Sequence, residues 1–209
     1  MLTNEVTYPS GTTVLIWQLE EDGPQLLQLC RQAGIPIDDL AGTPLKRQRE
    51  RAAERLLLCR ALGQPVEIAH DCQGAPVAVR HEEVNISISH TMQLVALACC
   101  RQHVIGLDVE SAHRQQVLKV RDKFLNASEK LFIAQDDLVA HVIAWTAKEA
   151  IIKAERNSAL DWTEGIILQP FAADPGGTTL AARCAHRHYH LTSSLLHGHF
   201  VTLAIPVDR

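Results

Sequence analysis

The sequence predicts an α+β fold built as a pseudodimer of two similar halves, each a small, mostly antiparallel sheet packed with helices. The first observation is the order of elements, because each half is predicted as a strand, then helices, then several strands. The second is size: 209 residues with 46% hydrophobic content can form one large domain or two small ones with cores. We expect an N-terminal half over 1–103 and a C-terminal half over 104–209.

The N-terminal half begins with a predicted strand at Thr12–Leu19, where β-branched and apolar residues predominate. Thr43 and Pro44 predict the start of a long helix, with threonine as the N-cap and proline as the first helical residue. This helix is expected to end at Gly63, because glycine commonly follows the last helical turn. The other elements of this half are a helix at 23–34 and strands at 66–69, 75–79, 85–89 and 94–100.

The C-terminal half begins with a predicted strand at 104–110, which we expect to form a hairpin with the strand at 94–100. Ser128, followed by Glu-Lys, predicts a helix start with an acidic first turn. The other predicted helices lie at 117–124 and 137–155. The remaining predicted strands lie at 165–169, 180–185, 189–196 and 199–205.

Composition excludes several classes of protein. A formal net charge of -4 disfavours nucleic-acid binding over the whole surface. The six cysteines fit no zinc-site spacing, so we expect free thiols in a reducing compartment. No basic region followed by an apolar stretch marks a signal peptide, and no apolar run approaches the roughly 20 residues of a membrane span. We therefore expect a soluble, cytoplasmic protein without a membrane partner.

Two carboxylates alternate along the strand that contains Ile105-Gly106-Leu107-Asp108-Val109-Glu110. Side chains alternate on a strand, so Asp108 and Glu110 are predicted to share one face. Adjacent carboxylates repel each other, and a hard divalent cation such as magnesium would relieve that repulsion through its preference for oxygen ligands. The alternative is a solvated strand end with two harmless acids.

The helix at 137–155 contains Trp-Thr-Ala-Lys-Glu-Ala-Ile-Ile-Lys. Trp145, Glu149 and Lys153 are four residues apart, so they line one helical face. Glu149 could be a third acidic ligand or a base, and Lys153 could hold a phosphate as a point charge. The alternative is an ordinary glutamate–lysine surface pair beside a core tryptophan.

A third segment, Asn-Ile-Ser-Ile-Ser-His-Thr at 85–91, ends a strand with small hydrogen-bonding groups. Ser89 and His90 suit the oxygens of a phosphate. They do not indicate a hydrolase, because the members of a catalytic triad come from distant segments.

Taken together, these motifs resemble the 4'-phosphopantetheinyl transferase superfamily, of the Sfp type with its W/KEA subgroup. Its two signatures, G-(I/V/L)-D-(I/V)-E and W-(S/T)-x-K-E-(A/S)-x-x-K, are complete here. The segment at 124–129 is similar to the intermediate F-x-x-x-x-E element, and the one at 71–76 to a Gly-Lys-Pro segment. The resemblance spans roughly residues 45–155.

The resemblance implies transfer of 4'-phosphopantetheine from coenzyme A, as co-substrate, to a serine of an apo acyl-, peptidyl- or aryl-carrier protein, with release of 3',5'-ADP. It also implies a monomer whose C-terminal half carries a Mg²⁺ site. The implied metal ligands are Asp108, Glu110 and Glu149. The implied catalytic residues are Glu149, Asp108 and Lys153, with Glu149 as the base, or else Glu129 or a metal-bound water. The implied coenzyme contacts are Arg47, Ser89, His90, Asp108 and Lys153.

The chain departs from this pattern at Ala75, where many relatives have lysine. One contact to a coenzyme phosphate is therefore expected to be missing or to come from Arg80. The main alternative function is a non-catalytic relative that binds coenzyme A or a carrier protein, although the intact set of Asp108, Glu110, Glu149 and Lys153 argues against it. The basic run Lys46–Arg55 offers nucleic-acid binding as a distant third, although interleaved acids dilute it and no aromatic residues accompany it. Alternating histidines could bind zinc or nickel, but a solvent-facing strand is the expectation for them. These are His186, His188 and His190.

Overall fold

The computed structural model describes residues 1–174 and 176–207. The chain divides into two compact units, Met1–Gln102 and His103–Arg209. Each unit combines an antiparallel sheet with helices, which confirms the predicted α+β class. Within the described ranges, no helix is both long and apolar enough to cross a membrane.

The N-terminal unit is built on a four-stranded antiparallel sheet with the order β1-β2-β6-β5, and β3 and β4 form a separate hairpin. Its strands are β1 (Leu2–Thr7), β2 (Thr13–Gln18), β3 (Ile68–His70), β4 (Pro76–Ala78), β5 (Asn85–His90) and β6 (Leu94–Cys100). Its helices are α1 (Gly23–Gln32) and α2 (Leu45–Leu62), with a 3-10 turn at Asp38–Leu40 between them.

Helix α2 lies on the sheet through an apolar stripe in which Leu57 and Leu58 are fully buried. It ends at Gly63, whose φ of 71° is the left-handed conformation that glycine adopts most readily. The predicted start of α2 is wrong by one residue. Pro44 is the N-cap, and the Thr43 hydroxyl donates a hydrogen bond to the Leu40 carbonyl instead of capping the helix.

The C-terminal unit is built on a five-stranded antiparallel sheet with the order β7-β11-β10-β9-β8. Its strands are β7 (Gly106–Ser111), β8 (Ile166–Leu168), β9 (Thr178–Cys184), β10 (Arg187–Leu196) and β11 (His199–Val207). Its helices are α3 (Gln116–Lys119) and α4 (Leu138–Glu155), and two 3-10 turns lie at Arg121–Lys123 and Glu129–Leu131. Helix α4 packs its apolar residues onto the sheet.

The predicted hairpin between the strands at 94–100 and 104–110 is wrong. Strand β6 has β2 on one edge and β5 on the other, so neither edge is open to β7, which pairs with β11. The helix predicted from Ser128 is also only a 3-10 turn. There the Asn126 side chain, not Ser128, accepts the backbone N–H of Glu129 at 2.9 Å.

Helix α4 approaches β7 very closely at Gly106. A Cβ atom at this position would lie 1.7 Å from the Ala150 carbonyl oxygen, which is far inside van der Waals contact. Only glycine therefore permits this approach of helix and strand backbones. The consequence for the candidate site is that the residues after Gly106 on β7 lie within reach of side chains from the last turns of α4.

Candidate active site

The carboxylates of β7 lie on the sheet face that α4 covers. Asp108 is opposite Thr202 of β11 in the register, and the Thr202 hydroxyl lies 2.7 Å from that of Thr146 on α4. Because register partners share a face, Asp108 points towards α4. Glu110, two residues on, shares that face as the alternation predicted. Asp108 is only 7% exposed, so its charge requires a partner.

Lys153 of α4 provides that partner. Its Nζ donates hydrogen bonds to Asp108 Oδ1 at 2.8 Å and to the Leu107 carbonyl at 2.9 Å. The two signatures therefore meet in one ion pair, between residues that are 45 positions apart in the sequence. In this state Lys153 is held by a carboxylate and a carbonyl.

Glu149 lies one helical turn before Lys153 and is partly buried. Burial raises the pKa of its carboxyl group, and the negative charge of Asp108 raises that pKa further. Lys153 and Arg114 lower the pKa of Glu149, but they do not cancel the increase. Asp108 and Glu149 thus form a repelling pair of acids, which is the condition that a cation would relieve.

Glu110 is held differently, by an arginine that the sequence analysis did not single out. The Arg114 guanidinium donates to Glu110 Oε2, and the Ser111 backbone N–H donates to Glu110 Oε1 at 2.8 Å. Arg114 also lies over the ring of Trp145, 5.2 Å from its centroid. The four-residue spacing from Glu110 to Arg114 was the available signal, but it indicates contact only on a helix.

The donor chemistry of this cluster fits a hard divalent cation, because Asp108, Glu110 and Glu149 offer only carboxylate oxygens. The repulsion between Asp108 and Glu149 supports the same fit. Within residues 1–174 and 176–207, however, no group of three or more His, Cys, Asp or Glu side chains could hold a metal ion. The three acids are therefore gathered in one region but are not arranged as a ready-made set of ligands.

A second ion pair in this unit is completely buried and was not predicted. Lys148 Nζ donates to Glu129 Oε2 at 2.8 Å and to the carbonyls of Trp162 and Ile166. Neither the Lys148 nor the Glu129 side chain is exposed. The signal was the position of Lys148 between Ala144 and Ile151, which mark the apolar face of α4.

The partners of Glu129 argue against a role as a base. Besides Lys148, it accepts the backbone N–H groups of Asn126 at 2.9 Å and Leu168 at 2.8 Å. A carboxylate with no exposure and three donors has no route to a substrate hydroxyl. The pair instead connects the 126–131 segment and both ends of β8 to α4.

Two of the three predicted coenzyme contacts of the N-terminal unit lie next to each other. Arg47 of α2 lies 3.5 Å from His90 Nε2 of β5. Between them is Glu50, whose carboxylate is 3.6 Å from Arg47 and 3.3 Å from His90 Nε2. Lys46 is 3.8 Å from the same carboxylate, which is only 4% exposed. Ser89 is buried and, as the residue before His90 on a strand, faces the other side of β5.

The features that favoured other functions have structural explanations. In the basic run, Arg49 donates to the Leu19 and Glu21 carbonyls, and Arg55 pairs with Asp39. The run is therefore not a continuous basic surface. The three alternating histidines are exposed, as expected, but the first lies in the turn between β9 and β10 and only the other two lie on a strand, β10. They are His186, His188 and His190.

Comparison with known proteins gives a family match. No curated protein matches the chain. Residues 104–204 match the family model of the 4'-phosphopantetheinyl transferase superfamily. The matched range includes Asp108, Glu110, Glu149 and Lys153, and it covers most of the C-terminal unit. This unit is therefore similar to a phosphopantetheinyl transferase domain, which supports a transferase and phosphopantetheine transfer in general.

Proposed function

We propose that this protein transfers 4'-phosphopantetheine from coenzyme A to a serine of an apo acyl-, peptidyl- or aryl-carrier protein, as an Sfp-type enzyme. The observation that carries the proposal is the ion pair between Asp108 and Lys153, with Glu149 beside it, in the range that matches the superfamily. A binding protein would have no need of two repelling, poorly solvated carboxylates next to a lysine.

In the proposed reaction the serine oxygen bonds to the phosphorus that bears pantetheine, and the bond from that phosphorus to 3',5'-ADP breaks. Glu149 accepts the serine proton, directly or through water. Its raised pKa suits this task, because a base works best with a pKa closer to the working pH. Lys153 stabilises negative charge on the diphosphate oxygens. Mg²⁺ held by Asp108, Glu110 and Glu149 would neutralise further charge on those oxygens.

For the N-terminal unit we propose that Arg47 and His90 contact phosphate groups of coenzyme A. The support is their closeness to each other and to Lys46, which concentrates positive charge around one buried carboxylate. Glu50 holds these side chains in place, so it has a positioning role. Ser89 is less well supported, because strand alternation directs it away from His90. Ala75 carries no charge, so it can make no ionic contact with a phosphate group.

The test is mass spectrometry of a panel of apo-carrier proteins incubated with the protein, coenzyme A and Mg²⁺. We expect one carrier to gain a single phosphopantetheine. Asp108→Asn should reduce the rate by about a thousandfold or more, because losing a metal ligand costs several kcal/mol of transition-state stabilisation. Asp136→Asn is the control, since Asp136 is an exposed acid of the same unit.

Two results would contradict the proposal. The first is no mass gain on any carrier while coenzyme A still binds, which would favour the non-catalytic, coenzyme-binding alternative. The second is near-normal turnover in Asp108→Asn, which would remove the metal from the proposed reaction.

A further inference from the structure

The carboxylate cluster of the C-terminal unit contains its own cations. Asp108 has Lys153 and Glu110 has Arg114, while Glu149 interacts electrostatically with both cations. When ionised, the three acids carry three negative charges against two positive ones. The cluster is therefore nearly neutral without a metal, which explains how these acids can lie together.

A divalent cation bound to Glu110 would change this balance. The Arg114 guanidinium competes with a metal ion for Glu110 Oε2, because both draw on the electron pairs of that oxygen and their positive charges repel each other. If both cations stayed, the cluster would hold four positive charges against three negative ones. Moving the Arg114 guanidinium away from Glu110 lowers the positive charge next to the oxygens that would hold the metal. Lys153 is less easily removed, because the Leu107 carbonyl also holds its ammonium group.

We propose that Arg114 is a resident counter-ion that holds Glu110 in the metal-free protein and is exchanged for the divalent cation when the site is loaded. The inference rests on the proposed function and deepens it, because it assigns a positioning residue to the same site.

Trp145 can hold the Arg114 side chain after that side chain leaves Glu110. Its ring lies under the Arg114 guanidinium, and it contacts the rings of Phe124 and Trp162 at centroid distances of 5.3 and 4.8 Å. A cation over an indole face is stabilised by the ring quadrupole. Arg114 can therefore release Glu110 and keep its contact with the indole, so metal binding should change the environment of Trp145.

The experiment is calorimetric titration of the whole chain with Mg²⁺, without coenzyme A or carrier protein. Arg114→Ala should bind Mg²⁺ about tenfold more tightly than wild type, which corresponds to losing a competing charged hydrogen bond of about 1.4 kcal/mol. Arg114→Lys should lie between the two, because lysine keeps the charge but not the planar, stacked geometry. Arg183→Ala, which removes an exposed arginine of the same unit, should leave the affinity unchanged.

Tryptophan fluorescence gives an independent readout in a Trp17→Phe background, which leaves Trp145 and Trp162 as the only tryptophans. Mg²⁺ should shift the emission in this background and much less when Arg114→Ala is added. If wild type binds Mg²⁺ but Arg114→Ala binds it no more tightly, the counter-ion inference is wrong and the proposed function is unaffected. If wild type binds no Mg²⁺ without coenzyme A, the counter-ion inference is wrong, whereas the proposed transfer is judged separately by the mass gain of the carrier proteins.

Discussion

The two polar clusters of this protein have opposite compositions. In the C-terminal unit, the three carboxylates of the acidic cluster interact with two cations, Lys153 and Arg114, so acids outnumber cations. In the N-terminal unit, Lys46, Arg47 and His90 surround the carboxylate of Glu50. In both clusters a carboxylate is almost fully buried: Asp108 in the first and Glu50 in the second.

The difference indicates the kind of ligand that each cluster can accept. A buried charge is stable only beside an opposite charge. The two cations therefore hold the acids together in the C-terminal cluster, and Glu50 holds the basic side chains together in the N-terminal cluster. The remaining charge is negative in the C-terminal cluster and complements a hard cation. The N-terminal cluster has three basic side chains around Glu50, and such a group complements phosphate. Replacing a glutamate by glutamine in each cluster should therefore have different consequences.

The largest effect is expected from Glu149→Gln, because this glutamate is one of the three acids of the C-terminal cluster and is the proposed base. An amide cannot accept the serine proton, so kcat should fall by about a hundred- to ten-thousandfold. Added Mg²⁺ should not restore it, and coenzyme A should still bind. The measurement is kcat against Mg²⁺ concentration. Full rescue by the metal would leave Glu149 as a ligand only, and would make a metal-bound water the base.

A smaller effect of another kind is expected from Glu50→Gln. The amide no longer holds Arg47 and His90 by charge, so KM for coenzyme A should rise about tenfold, as for the loss of one charged hydrogen bond. Because Glu50 takes no part in the chemical step, kcat should stay close to wild type. Glu82→Gln, at an exposed acid of the same unit, is the matched control. A fall in kcat without a change in KM would refute the positioning role.

Most of the fold could be predicted because the apolar pattern fixes it locally. Strand β6 and helix α4 have nearly the predicted bounds, since their apolar residues follow a clear strand or helix pattern. Strand β1 was not predicted, because it is an exposed edge strand with few apolar residues. The wrong pairing of β6 has a different cause: local sequence does not determine which distant strand occupies an edge.

The candidate site was predictable where it depends on spacing within one element. Strand alternation placed Asp108 and Glu110 on one face, and helix periodicity placed Glu149 beside Lys153. The contacts of Arg114 depend on a turn after β7, whose geometry the sequence does not reveal. Glu50 was not singled out because it lies in a run of charged residues on a helix, and such a run is usually solvated.

The smallest expected effect concerns stability without metal, and it compares two glutamates whose folded-state pKa is raised. Burial is the main cause for both, followed by the charge of Asp108 for Glu149 and that of Glu50 for Glu54. A raised carboxyl pKa means that the folded protein keeps a proton that the unfolded chain loses above about pH 4.3. Stability therefore falls as pH rises from that value through the folded-state pKa.

Glutamine removes this cost, so Glu149→Gln and Glu54→Gln should each raise the melting temperature at pH 7 by roughly 2–4 °C, the shift that about 1 kcal/mol produces in a chain of this size. Neither gain should remain below about pH 4, where both glutamates are protonated in the folded and unfolded states.

Adding Mg²⁺ should affect the melting temperatures of the two variants differently. It stabilises wild type through the ionised acids of the C-terminal unit, so adding it should cancel or reverse the gain of Glu149→Gln. The gain of Glu54→Gln should be unaffected. Thermal unfolding with and without Mg²⁺ at pH 4 and pH 7 provides the measurement, and an equal response of the two variants to Mg²⁺ would mean that the carboxylate-rich cluster is not where the metal binds.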